Sequence, residues 1–246
     1  MGAGRLSAQV LGDFQVDVDG ERIDSDRWQR TCATRLMKLL LVARGHVASR
    51  EIAAETLWPG SAPELSRANL RKALFFAHAV VPDSVLVADN AHVRLVDADV
   101  DLDRLLGALD TLEQRGVHDH AALTTLLELG RLPLLPDDLY EEWLVGPREH
   151  LASRWQISAL EAARAAALAG SYSDAQLMLE QLLDRDQADE AAHRLAIECF
   201  AAEGRHHAAR RQFELCRRAL RELLDIEPSA ETVAAFERVE GAISAT

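Results

Sequence analysis

The sequence predicts a mainly α protein with a small β component, and three observations carry that expectation. Residues 11–18 alternate apolar and polar side chains ahead of Asp19-Gly20, a dipeptide that favours a hairpin turn. Leu57-Trp58-Pro59-Gly60 stops one helix, and the next carries Arg67, Asn69, Arg71 and Lys72. Beyond Val100 no strand signal survives, and Gly170-Ser171-Tyr172-Ser173-Asp174-Ala175 recurs 34 residues later as Gly204-Arg205-His206-His207-Ala208-Ala209.

Taken in order, a strand over Leu11–Val18 turns at Asp19-Gly20 and returns over Glu21–Ile23. The pattern becomes helical from Trp28 to Arg44. There Leu36, Leu39, Leu40 and Ala43 share a face, and Gly45 stands where a C-terminal cap is expected. Ser49 is placed to cap the next helix, which runs through Ile52, Ala53 and Leu57 to Trp58. After the Pro-Gly turn, a helix from Pro63 to Val81 buries Leu70, Ala73, Leu74, Ala77 and Val81 at three- and four-residue steps. Val85–Val87 and His92–Leu95 then form a hairpin about Asp89-Asn90-Ala91. A small sheet, three helices and a closing hairpin make a winged helix, with Arg94 on the wing.

Further on, helices are expected over 101–115, 119–129, 138–169, 172–185, 188–203, 206–224 and 229–240. The 34-residue period matches Gly170 with Gly204, Ala175 with Ala209, and Leu179 with Phe213, which reads as an all-α, tetratricopeptide-like domain. The glycine ends one helix, and the small alanine lets its paired helix approach closely. Two copies are few, so neighbouring helices must complete the core. The bend between the two parts falls at Asp97–Asp101, which divides the chain into residues 1–98 and 99–246.

Composition narrows the class. Apolar residues make up 48% and charged residues 27%, enough for a packed core under a solvated surface. No apolar run is long enough to span a bilayer and no signal-peptide block is visible, so a cytoplasmic location is expected. Cys32, Cys199 and Cys216 lie apart without a C-x-x-C pair, which fits reduced thiols rather than a disulfide frame or zinc site. The net charge of −13 is uneven: residues 1–100 hold 12 basic and 13 acidic groups, residues 101–246 hold 15 and 27. Within residues 22–72 the balance reverses, with 10 basic groups against 5 acidic. That asymmetry fits a phosphate-facing patch on one domain beside an acidic second domain, although two solvated helix faces give the same count.

Helix, tight turn and basic helix is the arrangement that pushes side chains into a DNA groove. Asn suits adenine and Arg suits guanine through paired hydrogen bonds, so Arg67, Asn69, Arg71 and Lys72 are candidate DNA contacts. An ordinary solvated helix face is the alternative, with Asn69 bonded to backbone. Arg94 on the wing is a candidate phosphate contact. Arg27, Arg30, Arg35 and Lys38 flank or lie on the first helix, where they either position the protein on phosphates or pair with acids such as Asp24 and Asp26. Trp58 is expected to pack the turn, and Trp143 and Trp155 the helical domain. His118-Asp119-His120 and His206-His207 lack a third ligand at suitable spacing, so no metal is expected. Glu141-Glu142 and Asp137-Asp138 sit at a helix start, where the macrodipole favours negative charge. No phosphate-binding glycine loop or nucleophile elbow is present, so neither an enzyme nor a cofactor is expected.

In this order the parts resemble the SARP-type (antibiotic regulatory protein) transcription factors of bacteria, which join an OmpR/PhoB-type winged helix to a bacterial transcriptional activation domain, BTAD. The resemblance rests on Leu11-Gly12-Asp13-Phe14 with Asp19-Gly20, Leu57-Trp58-Pro59, Arg67-Ala68-Asn69-Leu70-Arg71 and Asp99-Val100-Asp101. It continues through Leu134-Leu135-Pro136-Asp137 with Trp143 and Arg148, then Ala202-Glu203-Gly204-Arg205, Glu222-Leu223-Leu224, Glu227-Pro228-Ser229 and Glu231-Thr232. It implies an activator that docks in the major groove, with tandem protomers or a homodimer reading direct repeats near a promoter. It also implies contact with RNA polymerase, including through the Trp58–Glu64 loop. The family is typical of high-GC actinobacteria, which suits 25 Arg against two Lys. One departure stands out. Where relatives often continue the recognition helix with arginines, this chain reads Phe75-Phe76-Ala77-His78. Fewer cations there should weaken binding to phosphates and its salt dependence. Two readings of the aromatics follow: apolar contact with a thymine methyl, or a protein-interaction face of Trp58, Phe75 and Phe76 on a winged helix that no longer binds DNA.

Overall fold

The computed structural model of the chain describes residues 5–28, 30–117 and 119–244. Backbone contacts gather the chain into two compact units, residues 1–107 with 132–150, and residues 108–131 with 151–246. The units therefore do not follow a single cut in the sequence.

The first unit contains, in chain order, β1 (Leu6–Gln9), β2 (Gln15–Val18), β3 (Glu21–Arg22), α1 (Thr31–Val42), β4 (Val47–Ser49), α2 (Arg50–Leu57), α3 (Pro63–His78), β5 (Leu86–Ala88), β6 (His92–Leu95) and β7 (Ala98–Val100). One sheet has the order β3-β2-β1-β7, the other β4-β6-β5. β1 and β2 pair antiparallel with Leu6 opposite Val18 and Ala8 opposite Val16, and all but Val18 of these side chains are buried. Asp19 and Gly20 both take positive φ, 54° and 82°, the geometry that a two-residue hairpin needs. Leu36, Met37, Leu40 and Leu41 of α1 form the centre of the core with Leu57 of α2 and Leu70 of α3. Five of the apolar positions expected on the third helix, Leu70, Ala73, Leu74, Ala77 and Val81, are all buried.

Three expectations need correction, and two strands, β1 and β4, went unread. The hairpin about Asp19-Gly20 forms as expected from β2 and β3, with Val18 opposite Glu21, but its first strand begins at Gln15 rather than Leu11. A strand the sequence did not announce, β1, pairs with the other edge of β2, and Leu11 bridges to Leu134, because Asp101 and the 132–135 segment take up the backbone groups of residues 10–12. β4 was hidden by its length, three residues paired with His92–Arg94. β7 occupies the expected bend, where Leu6 pairs with Ala98 and Ala8 with Val100 in parallel. Ala and Asp have little intrinsic β preference, so only the neighbouring strand explains it. The helix expected from residue 138 starts at Val145, after the short 3-10 turn Glu142–Leu144.

The remaining helices are α4 (Asp101–Arg115), α5 (His120–Leu129), α6 (Val145–Leu168), α7 (Tyr172–Arg185), α8 (Glu190–Ala202), α9 (His206–Leu224) and α10 (Ala230–Ser244). His118 lies outside the described residues. Among the described residues no helix is long and apolar enough to cross a membrane.

The 34-residue repeat is visible as geometry. Gly170 and Gly204 take φ of 78° and 72° at matching helix ends. At each, the glycine N–H bonds back to the carbonyl three residues earlier (Ala167, Ala201), and the next N–H to the carbonyl five residues back (Ala166, Phe200), a Schellman closure. Ala175 and Ala209 are fully buried, and Leu179 and Phe213 pack below them. α10 completes the stack, with Phe236 lying parallel to Phe213 at 4.2 Å. Burial pushes the Cys199 and Cys216 thiols up to about 11 and about 12, so both are poor nucleophiles.

His193 joins α8 to α9. Its Nε2 donates to the Gln187 carbonyl at 3.0 Å, and its Nδ1 accepts from Gln212 Nε2 at 2.7 Å. Burial holds the imidazole below its ordinary pKa, against the opposing pull of the Gln187 carbonyl, Asp189, Glu190 and Asp186. A base depressed in the folded state binds its proton more readily when unfolded, so stability is complete above about pH 6.5 and declines as pH falls below it. Thermal melts between pH 7.5 and 5.5 are expected to fall more steeply for the native chain than for His193→Gln. Equal slopes would discount the histidine.

Candidate nucleic-acid interface

Local sequence builds α2 and α3 as a helix pair with a tight turn. Ser49 Oγ accepts the Ile52 N–H at 3.1 Å and starts α2. Gly60 takes φ of 73° in the turn, and Pro63 occupies the first turn of α3, where its missing N–H costs nothing. Trp58 is half-buried at the end of α2 and lines a cleft of about 450 Å³ with Glu51, Glu55 and Arg67.

With one side of α3 buried, Arg67, Arg71 and Lys72 stand in solvent on the other, and Asn69 is half-buried at the flank. At about 100° per residue, Phe75 falls between Arg71 and Lys72 in projection. Phe75 is 72% exposed, whereas Phe76 and His78 are half-buried. Arg30 precedes α1 and sets its guanidinium 5.6 Å from the centre of the Phe76 ring. The fold thus gathers Arg30, Arg67, Arg71 and Lys72 around α3. Glu51 of α2 lies 3.8 Å from Arg67, a long and exposed pair that leaves the guanidinium available.

The wing forms from β5 and β6. Asp89 closes it by accepting the N–H groups of Ala91 and His92, each at 2.8 Å, and these bonds hold its carboxyl below the usual range. Arg50 donates to the Asp89 carbonyl, which ties α2 to the wing turn. Arg94 projects from β6, half-exposed, 3.6 Å from the Asp89 carboxylate.

Arg35 and Lys38 do not join this group. Arg35 grips Glu141 through two parallel bonds of 2.5 and 2.9 Å, and Lys38 meets Asp138 at 2.6 Å while lying over the Phe14 ring. Burial raises the Glu141 pKa, but bonds from Arg35 and Trp143 and the charge of Lys38 outweigh it and hold the carboxyl below its ordinary range. Their acids are neither Asp24 nor Asp26, the neighbours in sequence. The reason is reach: the 132–150 segment packs against α1 and brings its own carboxylates.

Residues 100–240 match the family described as the bacterial transcriptional activator domain. The chain belongs to this family. Its domain order, a winged helix ahead of BTAD, is that of SARP-type transcriptional regulators. Among solved structures the chain resembles Mycobacterium tuberculosis EmbR in complex with a low-affinity phosphopeptide, with a TM-score of 0.70 and 21% identity. That likeness covers 97% of this chain and 66% of EmbR's, so the chain spans just under two thirds of its length. No curated protein matches the sequence.

The SARP landmarks in the sequence acquire physical roles. Leu134 and Leu135 are buried, and Arg148 donates to both of their carbonyls and to that of Asp138. Leu135 takes a φ of 44°, a strained conformation for a branched residue, and its N–H bonds to the Val10 carbonyl. Asp101 is buried at the start of α4 and accepts the N–H groups of Val10, Leu11 and Leu102. Sequence reasoning treated Asp101 as a polar bend and Glu141 as a helix-start acid. The partners Val10 and Leu11 for Asp101, and Arg35 for Glu141, lie 90 or more positions away, which no local pattern reports.

Proposed function

We propose that the chain binds double-stranded DNA, with α3 in the major groove and the wing on the backbone, and activates transcription as a SARP-type regulator. One observation carries the reading: α3 buries one apolar row and leaves Arg67, Arg71 and Lys72 in solvent on the other side. Asn69 is half-buried at the edge of that face, Arg30 lies beside Phe76, and Arg94 is exposed on the wing. Arg35 is assigned to the fold, since Glu141 holds the Nε–Nη2 edge of its guanidinium through both carboxylate oxygens. Residues 1–98 act as the DNA-binding domain and 99–246 as the activation domain. On direct repeats near a promoter, tandem protomers recruit RNA polymerase through the Trp58–Glu64 loop.

Salt-dependent binding to a labelled duplex of its own upstream region tests this. Affinity is expected to fall steeply with salt, with a slope of about −0.9 per phosphate neutralised. Lys72→Ala is expected to flatten that slope by about one, and Arg71→Ala to weaken binding about tenfold or more, the worth of a two-bond base contact. Arg35→Ala should leave the slope alone and lower thermal stability. No retention at low salt, on this duplex or a genomic pool, overturns the reading and moves attention to protein partners of Trp58, Phe75 and Phe76.

A further inference from the structure

We propose that Phe75 is a sequence-reading residue that packs its ring on a thymine C5-methyl in the major groove. The inference rests on the DNA-binding reading above and adds a base preference to it. A phenyl ring 72% exposed loses hydrophobic stabilisation unless something covers it. What covers it is constrained by charge. Arg71 and Lys72 lie one turn back on the same face, with Arg67 beyond them, so the partner must be anionic around an apolar spot. A duplex offers that combination, because phosphates flank a groove whose one aliphatic group is the thymine methyl.

The ring is also held ready. Phe76 meets it edge to face, with centroids 5.4 Å apart and planes at 79°. Phe76 is half-buried, and Arg30 lies near its ring. Phe75 therefore has a packed neighbour that limits its rotamers, while its outer side stays free. A ring ordered before binding loses less entropy on contact.

The test uses the full chain and a duplex selected from a random pool. Each thymine in the selected site is replaced in turn by deoxyuridine, which removes only the methyl. At one or two positions the native chain should lose about fourfold in affinity, the worth of one buried methyl-sized group. Phe75→Ala should bind the thymine and uracil duplexes equally, near the native affinity for the uracil duplex. Its melting curve, expected to be unchanged at so exposed a site, separates this from misfolding. If the duplex is retained with a steep salt slope but every uracil replacement is neutral, the assignment of Phe75 is overturned and DNA binding stands. If no duplex is retained at low salt, both fall.

Discussion

Asp101→Ala is expected to lower the unfolding free energy of the first unit by about 3 kcal/mol, since each buried N–H left without a partner costs about 1–3 kcal/mol. The carboxylate accepts three backbone N–H groups, from Val10 at 2.9 Å, Leu11 at 3.1 Å and Leu102 at 2.8 Å. The first two belong to the chain leaving β1, and the third opens α4. Alanine would leave all three without an acceptor in a place that water does not reach. An opposing effect limits the loss. Burial raises the Asp101 pKa, and the three N–H groups oppose that shift without cancelling it, so the ionised group is held at some cost that alanine would remove. Asp101→Asn should lose about half as much as alanine, because one oxygen still accepts while the amide meets the Leu11 N–H. Urea unfolding of the two variants beside Asp99→Ala, an exposed neighbour, provides the comparison. A loss for Asp101→Ala no greater than for Asp99→Ala would show that these bonds contribute little.

Gly130→Ala is expected to be as damaging in the second unit, by about 3–5 kcal/mol, the range for displacing a large buried aromatic. The backbone at Gly130 is ordinary, with φ of −64°, so conformational freedom is not the reason. A Cβ there would lie 2.0 Å from Trp155 Nε1 and 2.1 Å from Cδ1. Trp155 has nowhere cheap to go. It is 1% exposed, its Nε1 donates to the Leu126 carbonyl, and the Arg185 guanidinium sits 4.4 Å from its ring. Trp155→Leu alone should also destabilise, by loss of packing. In the double variant part of the Gly130→Ala loss should be recovered, because the smaller side chain clears the two contacts with Trp155, while the Leu126 carbonyl oxygen at 2.4 Å still crowds the new methyl. Additive losses would mean that the two residues do not compete for the same space.

Much of this protein was legible from short windows. The buried row of α3, the Ser49 cap, the Asp19-Gly20 turn and the paired glycines at 170 and 204 depend on side chains a few residues apart. Local stereochemistry alone decides them. Arg67, Arg71 and Lys72 were recognisable because a helix with one apolar side must turn its other side outward.

Elsewhere the sequence was silent. Arg35 resembles a phosphate contact until Glu141, 106 positions later, arrives beside it, and Lys38 waits for Asp138 at a separation of 100. β7 is a strand only because β1 offers it a ladder, and residues 136–144 stay out of α6 where side chains of α1 and Arg148 bind them. Phe75 and Phe76 are adjacent and identical in kind, yet burial separates their roles, one half-buried near Arg30 and the other open to solvent. By itself the sequence determined the helix faces, their caps, the repeat and the basic outer face of α3, since each is settled within a turn or two of chain. Only the tertiary structure decided which charges are spent inside the protein and which remain outside, because a charge is neutralised by what lies beside it in space.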